Sequence, residues 1–415
     1  MKRRILIPVF ALVTLLSLGA EPLYSPTWGF RLDLPEGYEL SGGDGKNRFS
    51  FVSPFGTFLD LAVYTDKDSV LLLAEEVEKK LANRGQKHSF TYNEKETVLI
   101  DLDFTTQGAP GGRNARFTGR ALCIQLEQEG RITNPSGGEA QRVKPLLAAI
   151  AYGPDRPELR DLHFSILDSI EGGEGDRRLP GAITEYLHPR GIWKREKLAN
   201  SPLEAFFREN DAAAARSVVE REFSVMKLYL DSPLGQEAWK RFYRAIFKDS
   251  FSRLEDAAFI LERSWNNSVP GPSGEGIKPE EADRLGTRSE EAAVVASKAL
   301  EWIQGFTYER DLLGTDFVDL VTAVREGRGD CDSRAMLWAI ILEQAAIPAA
   351  IMVSRELSHA MGLADIPGQG ARFPMEDGSN REIRWLVAET TAPVALGLIG
   401  ENYSEITKWM GIPFD

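Results

Sequence analysis

In the first part of the chain, apolar and polar residues alternate with a period of two over several short segments. This alternation is typical of half-buried β-strands. Residues 69–82 instead repeat leucine and valine at helical spacing, and residues 160–170 predict a closing helix. The predicted strands are residues 30–34, 48–52, 58–64, 97–104 and 115–126. Strands, a helix, further strands and a last helix predict an α+β domain over residues 23–172.

The middle of the chain has the composition of a connector. Residues 171–181 are rich in glycine and charge, which predicts a linker. Residues 201–265 carry a broad apolar stripe, which predicts helices packed into a core. Residues 266–290 are rich in proline, glycine and charge, so we expect a loop there. We therefore assign residues 173–234 to a linker and helical connector, and residues 235–415 to a second domain.

The second domain contains one helix that is apolar on nearly every side, at residues 335–345. A helix of this kind is buried in a core. Asp330 is placed to cap its N-terminus, and Ile347-Pro348 ends it. Three strands are predicted after it, at residues 349–354, 358–363 and 384–391. A helix followed by antiparallel strands again predicts the α+β class.

Length and composition limit the class of protein. A chain of 415 residues exceeds one ordinary core and predicts two or three domains. Its hydrophobic content of 43% and charged content of 27% indicate a folded globular protein. The net charge of −13 argues against a nucleic-acid-binding protein, because neutralising phosphates takes a surplus of lysine and arginine. We therefore expect no nucleic acid among its partners, and the sequence predicts no particular oligomeric state.

The N-terminus has the pattern of an export signal. Lys2, Arg3 and Arg4 precede an almost wholly apolar run, residues 5–20, which ends in small residues. The run is shorter than the roughly 20 residues that a membrane-spanning helix needs, and no lipid-accepting cysteine follows it. Residues 1–20 therefore predict a cleaved signal peptide, with a short uncleaved anchor as the alternative. We expect a periplasmic or extracellular protein of the bacterial envelope, with no stable transmembrane segment after cleavage.

The two cysteines of the chain lie in different settings. Cys123 is part of a strand-like apolar run and is expected to be a small buried hydrophobe. Cys331 stands at the first turn of the buried helix, where free N–H groups and the helix dipole favour a thiolate. Exported proteins usually pair their cysteines, so a disulfide between these two stays open as an alternative, although they are far apart in the sequence.

A histidine is the expected partner of Cys331, because bringing a thiol pKa well below 7 usually needs a cationic neighbour. Of the four histidines in the chain, His359 is the one that follows the helix. Glu389, on the third predicted strand, is the expected carboxylate that orients the imidazole, and Asp365 is its rival. Nucleophile, base and orienting group form the generalised catalytic triad. Each also has a purely structural interpretation, as a buried thiol, a satisfied histidine or a surface carboxylate.

Residues 302–391 resemble the transglutaminase-like domain of the papain-like cysteine-protease superfamily. The matching stretches are Glu301-Trp302-Ile303, Phe306-Thr307-Tyr308, Gly327-Arg-Gly-Asp-Cys-Asp-Ser-Arg-Ala-Met-Leu337, Ile347-Pro348-Ala349, His359-Ala360 and Glu389-Thr390-Thr391. The resemblance implies that Cys331 lies on a helix packed against a sheet that bears His359 and Glu389, and that the three perform acyl transfer through a thioester. Two positions depart from the family: Glu389 replaces a common aspartate, and Met361 replaces a common aromatic residue.

These observations predict an exported transglutaminase-like cysteine enzyme that hydrolyses a peptide or amide bond in the cell envelope, with a peptide or protein as substrate. We expect hydrolysis rather than cross-linking, because water is the abundant acceptor. Cross-linking and a non-catalytic binding or scaffold module are the alternatives. No metal or cofactor is required, since scattered histidines and distant cysteines offer no zinc site. The N-terminal part weakly resembles the PsbP/Mog1-like fold, and we expect it to bind or to act as a scaffold.

Overall fold

The structure is a computed structural model and describes residues 22–106, 115–128, 130–132, 141–266, 281–310, 315–376 and 382–414. The protein belongs to the α+β class, as the sequence predicts. The elements of the N-terminal part are β1 (Leu23–Tyr24), β2 (Arg31–Leu32), β3 (Glu39–Gly43), β4 (Arg48–Val52), β5 (Phe58–Tyr64), α1 (Val70–Leu81), β6 (Lys87–Tyr92), β7 (Lys95–Thr106), β8 (Ala115–Gln125), β9 (Gly130–Ile132), β10 (Gln141–Val143), β11 (Leu146–Pro154) and α2 (Arg160–Asp168).

The elements that follow form a helical layer and a second sheet. They are α3 (Ala182–Leu187), β12 (Trp193–Lys197), β13 (Glu204–Arg208), α4 (Asp211–Lys227), α5 (Gly235–Arg253), α6 (Glu255–Asn266), α7 (Glu281–Gln304), β14 (Thr307–Tyr308), α8 (Leu320–Glu326), β15 (Arg328–Gly329), α9 (Cys331–Gln344), β16 (Ala349–Ser354), β17 (His359–Ala364), β18 (Arg372–Glu376), β19 (Glu382–Ala388) and β20 (Met410–Ile412).

The N-terminal part is built on a seven-stranded antiparallel sheet in the order β3-β4-β5-β11-β8-β7-β6. Alternation along its strands sends successive side chains to opposite faces. Leu99 and Leu122 pack on the side of α2, whereas Val98 and Cys123 pack on the side of α1. Both predicted helices and the predicted strands 48–52, 58–64, 97–104 and 115–126 are confirmed nearly at their bounds, whereas the predicted strand 30–34 is reduced to β2 and strands β6 and β11 were not predicted. Cys123 is a buried core residue, as expected.

The glycine-rich segment predicted as a linker packs against the N-terminal sheet. Asp176 is buried and accepts hydrogen bonds from the backbone N–H of Gly172 (2.9 Å) and from Nδ2 of Asn93 (2.6 Å). A Cβ at Gly173 would overlap the side chain of Glu127. Glycine therefore serves close approach of the backbone here, which composition cannot distinguish from a free linker.

One hydrophobic cluster extends from Trp28 in the N-terminal part to Ile412 in the last strand. Helix α4 packs against α2 on one side and α5 on the other, and α5, α6, α7 and α8 pack around α9. Buried ion pairs cross the same junction, such as Arg221 Nη2 with Asp168 Oδ2 at 2.5 Å. The segment predicted as a connector is thus part of a core that the two ends of the chain share.

The C-terminal sheet has the order β18-β19-β17-β16-β20, and α9 covers one of its faces. The residues of β17 that face α9 are small: Ala360, Gly362 and Ala364. A Cβ at Gly362 would overlap the ring of Trp338, whose Nε1 donates to the carbonyl of Ala296 at 3.0 Å. Small residues at every second position therefore let the helix approach the strand closely.

Two predictions about helices are wrong in part. Residues 201–265 are not helical throughout, because Glu204–Arg208 forms strand β13 in a hairpin with β12. Residues 266–290 are not all loop, because α7 begins at Glu281, and residues 267–280 lie outside the described part of the chain. The predicted signal peptide, residues 1–20, also lies outside it. In the described ranges no helix is long and apolar enough to cross a bilayer.

Candidate active site

Cys331 is the first residue of α9, and the loop before it is fixed by capping. Asp330 is the N-cap, as predicted: its Oδ1 accepts from the backbone N–H of Ser333 at 2.8 Å and from the Ser333 hydroxyl at 2.5 Å. A Cβ at Gly329 would meet the same hydroxyl. The polar start of a helix that is otherwise buried thus has one defined conformation, and Cys331 is held at its first turn with 5% of its surface exposed.

His359 and Glu389 are brought together by strand pairing. His359 begins β17, and Glu389 directly follows β19, which pairs with β17 in antiparallel register so that Gly362 lies opposite Ala388. The imidazole Nε2 of His359 lies 2.8 Å from Oε2 of Glu389. The rival orienting group, Asp365, is exposed beyond the opposite end of β17. Of the two candidates, Glu389 is the carboxylate that contacts the imidazole.

The carboxylate of Glu389 is held at both oxygens. Its Oε1 accepts from the backbone N–H of Thr391 at 2.8 Å and from the Thr391 hydroxyl at 2.6 Å, while Oε2 faces His359. Burial alone would raise the pKa of Glu389, but the hydrogen bond and charge of His359 together with the two bonds from Thr391 lower that pKa below its usual value. Glu389 is therefore ionised and oriented at neutral pH.

The imidazole of His359 is also held by aromatic rings. Tyr403 stacks on it with ring centroids 4.7 Å apart and planes at 22°, and Trp409 meets it at 6.2 Å and 67°. The Nε1 of Trp409 donates to the carbonyl of Tyr403 at 3.0 Å, which fixes the two rings relative to each other. With Nε2 bound to Glu389, the other ring nitrogen, Nδ1, is the one left for Cys331.

The thiol of Cys331 lies beside the residue that follows His359. The backbone N–H of Ala360 and the hydroxyl of Tyr308 face its sulfur, and both lower the pKa of the thiol. The thiol also contacts its neighbour Asp332, with Sγ 3.7 Å from Oδ1. The structure therefore brings all three predicted residues, Cys331, His359 and Glu389, to one end of the sheet.

The electrostatic setting of the thiol differs from the expectation of an activated thiolate. Burial, followed by the charges of Asp332 and Asp330, raises the pKa of Cys331 to about 12. The hydrogen bonds from Ala360 and Tyr308 act in the opposite direction but are outweighed. The helix dipole contributes only about 0.3–1 kcal/mol, which is too little to compensate for burial near two carboxylates. In the free protein the thiol is protonated.

Asp332 is a site residue that the sequence reasoning did not identify. The buried hydroxyl of Tyr243, on α5, faces its carboxylate, and the charge of His359 acts on that carboxylate. Burial raises the pKa of Asp332, and burial together with Asp332 raises that of Asp330. The sequence does show a carboxylate directly after the cysteine. It does not show the contact with Tyr243, because Tyr243 lies far away in the chain.

Arg334 fixes the segments that surround the site. Its side chain is buried and donates to three backbone carbonyls: Nε to Gly329 at 3.0 Å, Nη2 to Phe306 at 2.7 Å and Nη1 to Thr390 at 3.4 Å. The rigid guanidinium fork suits this role. Arg334 thus ties the loop before Cys331 to the turn after Glu389.

A cleft of about 880 Å³ opens next to the site. Asp332 and Trp409, which contact Cys331 and His359 respectively, both line it. Its walls carry aromatic and aliphatic side chains from α4, α5 and the sheet: Phe223, Met226, Leu230, Trp239, Phe242, Tyr243, Phe317, Val353 and Met410. Asp332 and Trp409 therefore lie between this cleft and the side chains of Cys331 and His359.

The two cysteines are free thiols that lie in separate hydrophobic clusters, which excludes the disulfide alternative. In the ranges that the structure describes, no group of three or more histidine, cysteine, aspartate or glutamate side chains is arranged to hold a metal ion.

Comparison with known proteins adds little to this picture. No protein-family model matches the chain, and no curated protein does. One similar solved structure is a crystal structure from Bacteroides thetaiotaomicron VPI-5482, at 11% sequence identity and a TM-score of 0.24, with 61% of this chain and 81% of that chain covered. A TM-score this low supports no conclusion about fold or function.

Proposed function

We propose that this protein is an exported cysteine enzyme of the transglutaminase-like type, which hydrolyses a peptide or amide bond through a thioester on Cys331. The observation that carries the proposal is the hydrogen bond between His359 Nε2 and Glu389 Oε2 next to the Cys331 thiol. It fixes the imidazole with Nδ1 free. Such an arrangement of nucleophile, base and orienting carboxylate is what acyl transfer needs.

The protonated thiol favours general-base catalysis over a preformed ion pair. His359 Nδ1 takes the proton of Cys331 as Sγ attacks the substrate carbonyl, and Glu389 stabilises the imidazolium that forms. The C–N bond then breaks, and His359 returns the proton to the leaving amine. The product of this half-reaction is a thioester between Cys331 and the acyl group, with the amine released.

Two donors are placed to stabilise the oxyanion. The backbone N–H of Cys331 belongs to the first turn of α9, where N–H groups have no partner within the helix. The Tyr308 hydroxyl faces Sγ, and Tyr308 is 49% exposed, so the hydroxyl can turn to donate its single hydrogen to a substrate oxygen. One donor of this kind contributes about 2.7–4 kcal/mol to transition-state stabilisation.

Water completes the proposed cycle. His359 removes a proton from a water molecule, the hydroxyl adds to the thioester carbonyl, and Sγ leaves and recovers the proton. If an amine attacks instead, the same site performs cross-linking. Bulk water is the abundant acceptor unless the site excludes it, and the cleft beside Asp332 is open, which favours hydrolysis.

A non-catalytic binding module is the second candidate, because burial and two carboxylates raise the thiol pKa to about 12. Acylation by p-nitrophenyl acetate distinguishes the two candidates. In a Cys123→Ser background, we expect steady release of nitrophenolate that Cys331→Ala abolishes. No release above the Cys331→Ala control would favour the binding module.

The same assay separates hydrolysis from transfer. Glycinamide is added at increasing concentration, and the acetylated amine is quantified against acetate. We expect acetate as the main product at millimolar amine. Acetylglycinamide as the main product would favour the cross-linking alternative.

For the N-terminal part we propose a role in binding the envelope substrate, since its sheet and helices place no comparable triad among the described residues.

A further inference from the structure

We infer that the cleft next to Asp332 binds a substrate side chain that carries a positive charge on an aliphatic stem, as lysine and arginine side chains do, and that Asp332 recognises the charge. This inference rests on the proposed function, because it names the substrate class of the same site. It follows from three features of the cleft: the contact of its lining residue Asp332 with the thiol, its apolar walls and its charges.

Asp332 connects the cleft to the reacting sulfur. It lines the cleft on one side, and its Oδ1 lies 3.7 Å from Sγ of Cys331. Trp409 makes the matching connection, because it lines the cleft and packs edge-on against His359. A side chain bound in this cleft would therefore lie within one residue of Cys331 and of His359.

The walls suit a long aliphatic stem. Trp239 and Phe223 are partly exposed on the helices, and Met410 is partly exposed on β20. Leu230 at the end of the helical wall is 43% exposed. Methylene groups of lysine and arginine pack along apolar and aromatic surface while their charged ends reach a polar partner.

Among the described residues, no charged side chain that lines the cleft forms an ion pair with Asp332. Lys408 and Glu356 neutralise each other at 2.8 Å, and Arg355 is exposed to solvent. Asp316 contacts Arg310 at 3.4 Å. Asp332, by contrast, accepts from the Cys331 thiol, faces the Tyr243 hydroxyl and forms no ion pair with the described residues, while the charges of His359 and Arg310 act on it from beyond ion-pair distance.

A half-buried carboxylate without an ion-pair partner is costly, and a cation from the substrate would relieve that cost. Binding of a cation at Asp332 also has a consequence for the nucleophile. The charge of Asp332 is one of the causes that raise the pKa of Cys331, so neutralising it makes the thiol easier to deprotonate. The correct substrate would thus activate its own nucleophile.

Calorimetric titration with n-butylguanidinium and n-butylurea tests the inference, because the two probes have nearly the same shape and differ in charge. We expect the full chain to bind n-butylguanidinium at least about tenfold more tightly than n-butylurea. Asp332→Asn should remove that preference, and Asp365→Asn, which changes an exposed carboxylate outside the site, should keep it. Trp239→Leu should weaken both probes alike, because it removes apolar contact and no charge.

Equal binding of the two probes, or a preference that survives Asp332→Asn, would overturn the inference.

A second readout is the midpoint of the pH profile for Cys331 alkylation in a Cys123→Ser background. Saturating n-butylguanidinium should lower the midpoint in the presence of Asp332 and leave it unchanged in Asp332→Asn. An unchanged midpoint in both would overturn the activation step. Neither failure would affect His359-dependent acylation of Cys331, so the proposed function is tested separately.

Discussion

His359 and Glu389 lie on neighbouring strands, and the 2.8 Å hydrogen bond between Nε2 and Oε2 fixes the ring of His359 with its other nitrogen free. This contact sets the tautomer of the imidazole. Because Glu389 is also bound by Thr391, the carboxylate cannot turn away from the imidazole. The tautomer of the base therefore depends on Glu389, while Tyr403 and Trp409 help to hold the plane of its ring.

We predict that Glu389→Gln slows acylation of Cys331 by about 10²- to 10⁴-fold. The amide can still meet Thr391, but it neither stabilises an imidazolium nor selects the correct tautomer. The rate of nitrophenolate release measures the effect. Asp365→Asn is the matched control and should react like the wild type. A Glu389→Gln variant with the wild-type rate would remove Glu389 from the proposed mechanism.

Asp332→Asn should lower the pKa of the Cys331 thiol, because it removes the largest charge contribution to the rise. Iodoacetamide reacts with thiolates, so the variant should be alkylated faster than the wild type at pH 8. The experiment uses a Cys123→Ser background, in which Cys331 is the remaining cysteine. Equal or slower alkylation in Asp332→Asn would contradict the electrostatic account of the site.

Gly362→Ala should destabilise the protein by about 1–3 kcal/mol, because the new Cβ overlaps the Trp338 ring between α9 and β17. Urea unfolding measures the loss. Trp338→Leu in the same chain should make the alanine less costly, since a smaller side chain leaves room for it. Gly42→Ala, on the exposed strand β3, is the control and should change stability by less than about 0.5 kcal/mol. Additive costs for Gly362→Ala and Trp338→Leu would show that the two sites do not share space.

Glu36 should make the stability of the protein decrease as pH rises from 4.5 to 7. Burial raises its pKa from 4.5 to about 7, against the opposing charge of Arg241, and both carboxylate oxygens lack a hydrogen-bond partner among the described residues. The folded state therefore binds this proton more tightly than the unfolded state. The contribution is fully present below pH 4.5 and is lost as pH rises through 7, by about 3 kcal/mol in total.

Glu36→Gln should remove this dependence. Urea unfolding at pH 5 and pH 7.5 should show that the variant gains stability relative to the wild type at the higher pH. Glu39→Gln, at an exposed position of β3, is the control and should follow the wild type at both values. Parallel curves for wild type and Glu36→Gln would mean that Glu36 is ionised in the folded protein at both pH values.

The elements of the fold were largely predictable from local pattern. Alternation predicted β5, β7 and β8, and an apolar run behind an aspartate predicted α9 with Asp330 as its cap. The packing of residues 171–181 was not predictable, because glycine permits both free motion and close approach. Strand β13 was missed because the apolar residues around it extend the helical stripe that follows.

The candidate site was predictable only as far as residue types and their order allow. The sequence proposed Cys331, His359 and Glu389, and the structure places them together. The protonation state of Cys331 could not be inferred from the sequence, because it depends on burial and on the distance between Asp332 and the sulfur. The site is fixed by partners such as Tyr243, Tyr403 and Arg334. These residues are far apart in the chain or lie within hydrophobic segments, so the sequence alone does not show their roles.

The measurement that tests the proposed enzyme most directly is intact-protein mass spectrometry after brief exposure to p-nitrophenyl acetate at neutral pH. The Cys123→Ser protein is compared with the same protein carrying His359→Ala. We predict one acetyl group on Cys331, formed about 10²- to 10⁴-fold more slowly when His359 is replaced. No acetylation of Cys331, or the same rate in both proteins, would contradict the triad and leave the C-terminal part as a binding module.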